Sequence, residues 1–324
     1  MNEKSLPRLL TYTGLIVLIF FSPLLLPGYW EYVFSLIFIK IILCLLLRQM
    51  MLMGLLNLSI TAFMGIGAYF SAVMTTTLGM SFWFIMPLSG VVCLFIGVCL
   101  SFPVLKLKGA YFFIGTVCFA VAIIIFFSNF FIGIFGGVPG FTPIAVPKIK
   151  LLGIEIKFNS HISHYYLAGI FMAVSAIIIK RFESSRYGLY WKAISQADRL
   201  LETIGVNLFK YKMINFVISC FFGGICGSIY AHIIGIVTPQ DFGLEFLFIL
   251  VALLVVGGIE NFWGPIIGVV FVSVIAEFLR GFGQYELIGY GFILVLAMVF
   301  LPKGLVGLME KIFSNYKEKF LVKK

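Results

Sequence analysis

The 324-residue chain is 62% hydrophobic and only 11% charged, against about 25% charge in typical soluble domains, so a water-soluble globule is excluded. Its formal net charge of +10 would suggest a nucleic-acid partner for a soluble protein. In so apolar a chain, the placement of Lys and Arg relative to the bilayer is the more informative quantity, and no nucleic acid is expected. Apolar runs near the roughly 20 residues that cross a bilayer as helix recur from end to end, leaving room only for loops, and the whole of 1–324 reads as one membrane domain.

In chain order, ten spans are expected at about 9–26, 32–47, 60–78, 82–104, 110–132, 163–179, 213–236, 246–261, 264–280 and 286–301. Lys4 and Arg8 precede the first run as in a signal peptide, but the run has no small-x-small cleavage site and is taken as an uncleaved span. Threading the chain with its N-terminus in the cytoplasm places 18 of the 23 Lys and Arg residues inside, as basic residues favour cytoplasmic loops. Both termini are then cytoplasmic. Spans eight and nine are close enough to form a tight or re-entrant hairpin. The fold class is all-α: a polytopic helical bundle of about ten transmembrane helices.

Two connections exceed the usual length. The external one, 133–161, reads GIFGGVPGFTPIAVPKIKLLGIEIKFNSH; Gly and Pro interrupt any helix, and alternation from Lys150 to Phe158 suggests a short hairpin or strand. Its Gly-Gly-x-Pro-Gly turn is either an ordinary surface loop or a place where backbone approaches a pore.

The cytoplasmic connection, 180–212, contains a short amphipathic helix. Ser184 and Ser185 cap it, and Gly205 followed by Asn207 stops it. Tyr190, Ile194, Ala197, Leu201 and Ile204 form an apolar stripe, opposite Lys192, Ser195, Gln196, Arg199 and Glu202. Such a helix lies flat on lipid or docks a protein. The acids Glu183, Asp198 and Glu202 among the bases favour docking.

Chemistry-bearing clusters are sparse. His161, His164 and His232 have no partner at metal-ligand spacing, and no Gly-Lys pair exists from which a P-loop could be built. No cofactor is expected on the chain. Lys40, Asn57, Asn129, Asn215, Glu260, Asn261 and Glu277 are the polar groups within or beside spans, with Glu277 three residues before Arg280 as a structural pair. Cys44, Cys93, Cys99, Cys118, Cys220 and Cys226 read as small packing residues. The 33 glycines concentrate where helices approach closely, including the small-xxx-small steps Gly223 to Gly227 and Gly264 to Gly268.

Three stretches together resemble one family. They are YGLYWKAISQADRLLETIGVNLFKYKMINFVISCFFGGICGSIYA (187–231), VVGGIENFWGPIIGVV (255–270) and YGFILVLAMVFLPKGLVGLM (290–309), with FMGIGAYF (63–70) and GGVPGF (136–141) in register upstream. The chain is similar to the permease subunits of bacterial branched-chain amino acid ABC importers, whose wider family includes urea and short-amide permeases.

The resemblance implies a bacterial inner-membrane importer subunit. Its partners would be cytoplasmic ATPase subunits carrying ATP and Mg, a second permease subunit in a heterodimer, an external substrate-binding protein, and membrane lipid. It also implies that 180–212 is the coupling loop, with Tyr187, Gly188, Ala193, Ile194, Asp198, Arg199, Glu202, Gly205 and Asn207 shaping or making the ATPase contact. The translocation path would run by Asn57, Ser59, Gly65, Gly67, Tyr69, Gly136, Gly137, Gly140, Gly257 and Gly258.

The chain departs from the family pattern where Gly-Gln-x-Ser-x-Gly-His is replaced by GLLNLSI (54–60). It departs again where Ser-x-Glu is replaced by Leu247, Phe248 and Ile249, and where a Thr is replaced by Phe135. Each change makes the path greasier. A stand-alone ion-coupled transporter of a small polar solute is the alternative, and an intramembrane enzyme is disfavoured by the scattered His and acids.

Overall fold

A computed structural model of the chain describes residues 28–144, 147–151, 154–157, 160–281, 291 and 304–307. It is a helical bundle. The long helices are α1 (Gly28–Met51), α2 (Ile60–Thr77), α3 (Phe82–Val104) and α4 (Ala110–Asn129). After a one-turn α5 (Ile132–Phe135) come α6 (His161–Glu183), α7 (Arg186–Thr203), α8 (Leu208–Ile234), α9 (Leu244–Gly257) and α10 (Trp263–Leu279). Between α5 and α6, β1 (Lys148–Leu151) pairs antiparallel with β2 (Ile154–Lys157), the hairpin that the alternation in the external loop suggested.

Among the described residues seven segments are long and apolar enough to cross a membrane: α1 to α4, α6, α8, and α9 with its preceding 3₁₀ turn. Eight of the ten expected spans coincide with helices, and the first and tenth lie outside the described residues. Boundaries moved for local reasons. The fifth span ends at Asn129 because Phe131 turns left-handed, with φ 51°. The seventh starts at Leu208 because the Asn207 side chain accepts from the Lys210 N–H at 3.1 Å, an N-cap that satisfies one of the orphan donors of the first turn. Alone, α9 has 14 residues and α10 has 17, short of the roughly 20 that a span needs.

Helix α8 is the central strut, packing along α2 and α3. In lipid no hydrophobic drive presses helices together, so close approach depends on small residues. A Cβ at Gly67 would overlap the Gly224 carbonyl, and one at Gly227 would overlap the Met64 carbonyl. On the other flank Cys220 Sγ fills the space that Gly97 leaves, and Cys93 lies against Gly224. Helix α1 pairs with α6, with Phe38 edge-on to Tyr165 at 5.1 Å. The α9–α10 hairpin closes on Gly257, Gly264 and Gly268, and Gly304 of the Pro-Lys-Gly-Leu stretch sits on Gly258.

The two ends of the bundle differ. At one, the end of α1, the α3–α4 turn, the end of α6, all of α7 and the start of α8 gather the basic residues; Phe102 meets Phe209 there at 5.7 Å. At the other, the start of α1 meets the end of α10, where Glu277 pairs with Arg280 at 3.1 Å as the spacing predicted. The Tyr29 hydroxyl joins both side chains.

Candidate functional site

Helix α7 lies outside every membrane-length segment. Ser185 is its N-cap: the hydroxyl accepts from the Tyr187 N–H at 3.2 Å and donates to the Phe182 carbonyl at 2.6 Å. Gly188 is buried against the Glu183 backbone so closely that any side chain would collide with it. The elbow from α6 into α7 is therefore tight.

The buried face of α7 comprises Gly188, Trp191, Ile194 and Leu201. Trp191 is fully buried and donates its indole N–H to the Tyr211 carbonyl at 3.2 Å, while the Tyr190 ring packs on the Tyr211 ring at 4.4 Å. This corrects the expected stripe. Ile194 and Leu201 are on it, but Ala197 leaves helical geometry (φ −154°, ψ 63°) and Ile204 stands outside the helix, 70% exposed. The kink resets the register, so the constant helical spacing that selected Tyr190, Ala197 and Ile204 breaks midway. Trp191 lies ahead of the kink, and a spacing of four from Ile194 selects its neighbour Tyr190 instead; the signal for Trp191 is a large aromatic three residues before Ile194.

The outer face carries Lys192, Ser195, Gln196, Arg199 and Glu202, all exposed as expected. Leu189 and Leu200 are exposed beside them, at 70% and 66%. Tyr187 is partly exposed and Ala193 half-buried. Asp198 is tied inward, its carboxylate accepting from the Lys212 ammonium at 3.1 Å, so Lys192, Arg199 and Glu202 are the charged residues of this face left to present. Gly205 has φ +82° with nothing within 4 Å of a Cβ; a side chain there would cost backbone strain of about 1–2 kcal/mol and no clash.

The residues assigned to a path divide into three groups. Asn57 and Ser59 are buried and bond to one another: Asn57 Oδ1 accepts from the Ser59 N–H at 3.1 Å and from its hydroxyl at 2.6 Å. They shape the break before α2, where a Cβ added at Gly54 would lie 3.7 Å from Ser195 of α7.

Gly65, Tyr69, Gly136, Gly137 and Gly140 meet at the opposite end. The Gly65 backbone faces the Phe242 ring. Tyr69 stacks on Phe127 at 4.1 Å, meets Phe135 edge-on at 5.8 Å, and donates its hydroxyl to the Val237 carbonyl at 3.3 Å. Gly136, Gly137 and Gly140 have φ of 78°, 63° and 86°, and the turn they make lets Phe141 bridge Val237 through N–H to carbonyl bonds of 2.8 and 3.2 Å. An aromatic cluster thus packs around Tyr69 of α2. Gly67, Gly257 and Gly258 form a third group that belongs to helix packing, not to this cluster.

A family model for the branched-chain amino acid transport system permease component matches residues 29–301. The chain belongs to this permease family. It is 30% identical over 276 residues to the high-affinity branched-chain amino acid transport system permease protein LivM of Salmonella typhimurium, and 29% identical to LivM of Escherichia coli. Each match covers 79% of this chain and 64% of the relative, so the chain spans less than two thirds of the length of the curated proteins it resembles. No solved structure matches it. Members of the permease family are transport subunits rather than catalysts.

Proposed function

We propose that the chain is the integral permease subunit of an ABC importer, moving branched-chain or related small amino acids inward across a bacterial inner membrane, with both termini cytoplasmic. ATP and Mg are handled by partner ATPase subunits. A second permease subunit completes the core as a heterodimer, and an external binding protein delivers the solute.

The observation that carries this reading is α7: a capped helix outside the spans, anchored by Trp191 and Ile194 on one face and presenting Leu189, Arg199, Leu200 and Glu202 on the other. Such a helix transmits force only if its inner face moves with the bundle, and the tight Gly188 elbow supplies that stiffness. Basic residues gathered at the α7 end support its placement in the cytoplasm. At the far end, Tyr69, Phe127, Phe135 and Phe242 offer rings and one hydroxyl rather than charges, an environment suited to the aliphatic part of a small amino acid.

Proteoliposomes test the reading. Uptake of radiolabelled leucine by vesicles holding the full permease pair should require the ATPase, ATP and the binding protein together. Uptake by this chain alone, driven by an ion gradient, would establish a secondary transporter instead.

A further inference from the structure

Arg48 is the one arginine among the described residues that is almost wholly buried, 1% exposed at the last turn of α1. A guanidinium so enclosed persists only where its donors are met. Its Nη1 donates to one Glu183 carboxylate oxygen at 2.9 Å and Nη2 to the other at 3.2 Å, the forked geometry of a strong carboxylate pair. The remaining donors leave this pair: Nε reaches the Ile259 carbonyl at 2.8 Å and Nη2 the Glu260 carbonyl at 3.1 Å.

Those partners belong to two separate pieces of the fold, neither of them α1 itself. Glu183 ends α6 and, through the Gly188 backbone packed on it, moves with the first turn of α7. Ile259 and Glu260 form the turn between α9 and α10. Around the fork, the Lys180 ammonium lies 4.5 Å from the Phe262 ring centre, and Lys192 of α7 is 3.9 Å from Glu183. The Lys180–Phe262 contact also joins these two pieces, and Arg48 adds hydrogen bonds to both at once, to Glu183 on one side and to two turn carbonyls on the other.

We propose that Arg48 is the positioning residue that transmits displacement of α7 to the α9–α10 hairpin. Pushed from its outer face, α7 carries Glu183 with it; the forked pair carries Arg48; and Arg48 draws the two turn carbonyls of the hairpin, whose helices approach closely at Gly257, Gly264 and Gly268. The inference rests on the importer reading above and adds to it the route by which the force travels.

The test uses the assembled complex in proteoliposomes and reads solute taken up per ATP hydrolysed. Arg48→Lys keeps a cation beside Glu183 but loses the fork and cannot span to both carbonyls. The double variant Arg48→Met with Glu183→Met removes both charges, so neither is left buried without its partner. For a transmitting residue, both variants should hydrolyse ATP while uptake per ATP falls about fivefold or more, the lower bound of typical coupling between sites. A wild-type ratio in either variant overturns the proposal. So does a parallel loss of uptake and hydrolysis, or failure of both variants to assemble with the ATPase, since each assigns the cluster to folding. In those cases the wild-type complex still imports with ATP; a wild-type complex that does not would overturn the importer reading itself.

Discussion

Trp191→Ala should abolish ATP-driven uptake while leaving the chain in the membrane at wild-type abundance. The indole is fully buried between α7 and the start of α8 and bonded to the Tyr211 carbonyl. Truncating a buried Trp costs about 3–5 kcal/mol, and every 1.4 kcal/mol is roughly tenfold in population. The docked form of α7 therefore falls by about a hundredfold or more relative to the loosened form. Because Trp191 lies outside the membrane-length helices, insertion is spared. Leucine uptake and an immunoblot of the membrane fraction check both halves. Trp191→Phe keeps most of the packing and loses one hydrogen bond worth about 1 kcal/mol, so it should retain uptake.

Gly227→Ala should do the opposite and damage the fold itself. Its Cβ would overlap the Met64 carbonyl and crowd the Ala68 N–H, so α2 and α8 must separate along their main contact. Overpacking costs about 1–3 kcal/mol where side chains can yield; here the obstacle is backbone, and about 3 kcal/mol or more is expected. The thermal unfolding midpoint of the detergent-solubilised chain should drop clearly for Gly227→Ala. It should barely move for Gly133→Ala, where nothing lies within 4 Å of a Cβ. Equal midpoints would remove close glycine contact as the reason these helices pack.

Much of the bundle is written plainly in apolar run length, because a span must satisfy its backbone internally and a helix does so. Hence α1 to α4, α6 and α8 fall close to their expected positions. Ends are less legible: Asn207 caps α8 six residues ahead of the expected start, through one side-chain bond that hydropathy does not register.

The basic amphipathic segment was equally visible, down to Ser185 and Gly205 at its limits, yet its anchor was not. Even spacing selects Tyr190 over its neighbour Trp191, and a kink at Ala197 takes Ile204 off the buried face. Arg48 shows a deeper limit. As one basic residue near a span end it looks like a topology signal, and only the fold brings it to Glu183, 135 positions away, and to the 259–260 turn. Asn57 and Ser59 stand out in the sequence as the polar residues of a greasy stretch, and the fold adds that they hydrogen-bond to each other.

One measurement reaches the central claim, that a nucleotide-driven partner grips α7. Glu202→Cys, on the exposed face, is treated with a short homobifunctional thiol reagent in inverted membrane vesicles holding the full importer. The account predicts a crosslink between this chain and the ATPase, with labelling from the cytoplasmic side alone. Labelling of that cysteine only from outside the cell, with no ATPase adduct, would contradict it.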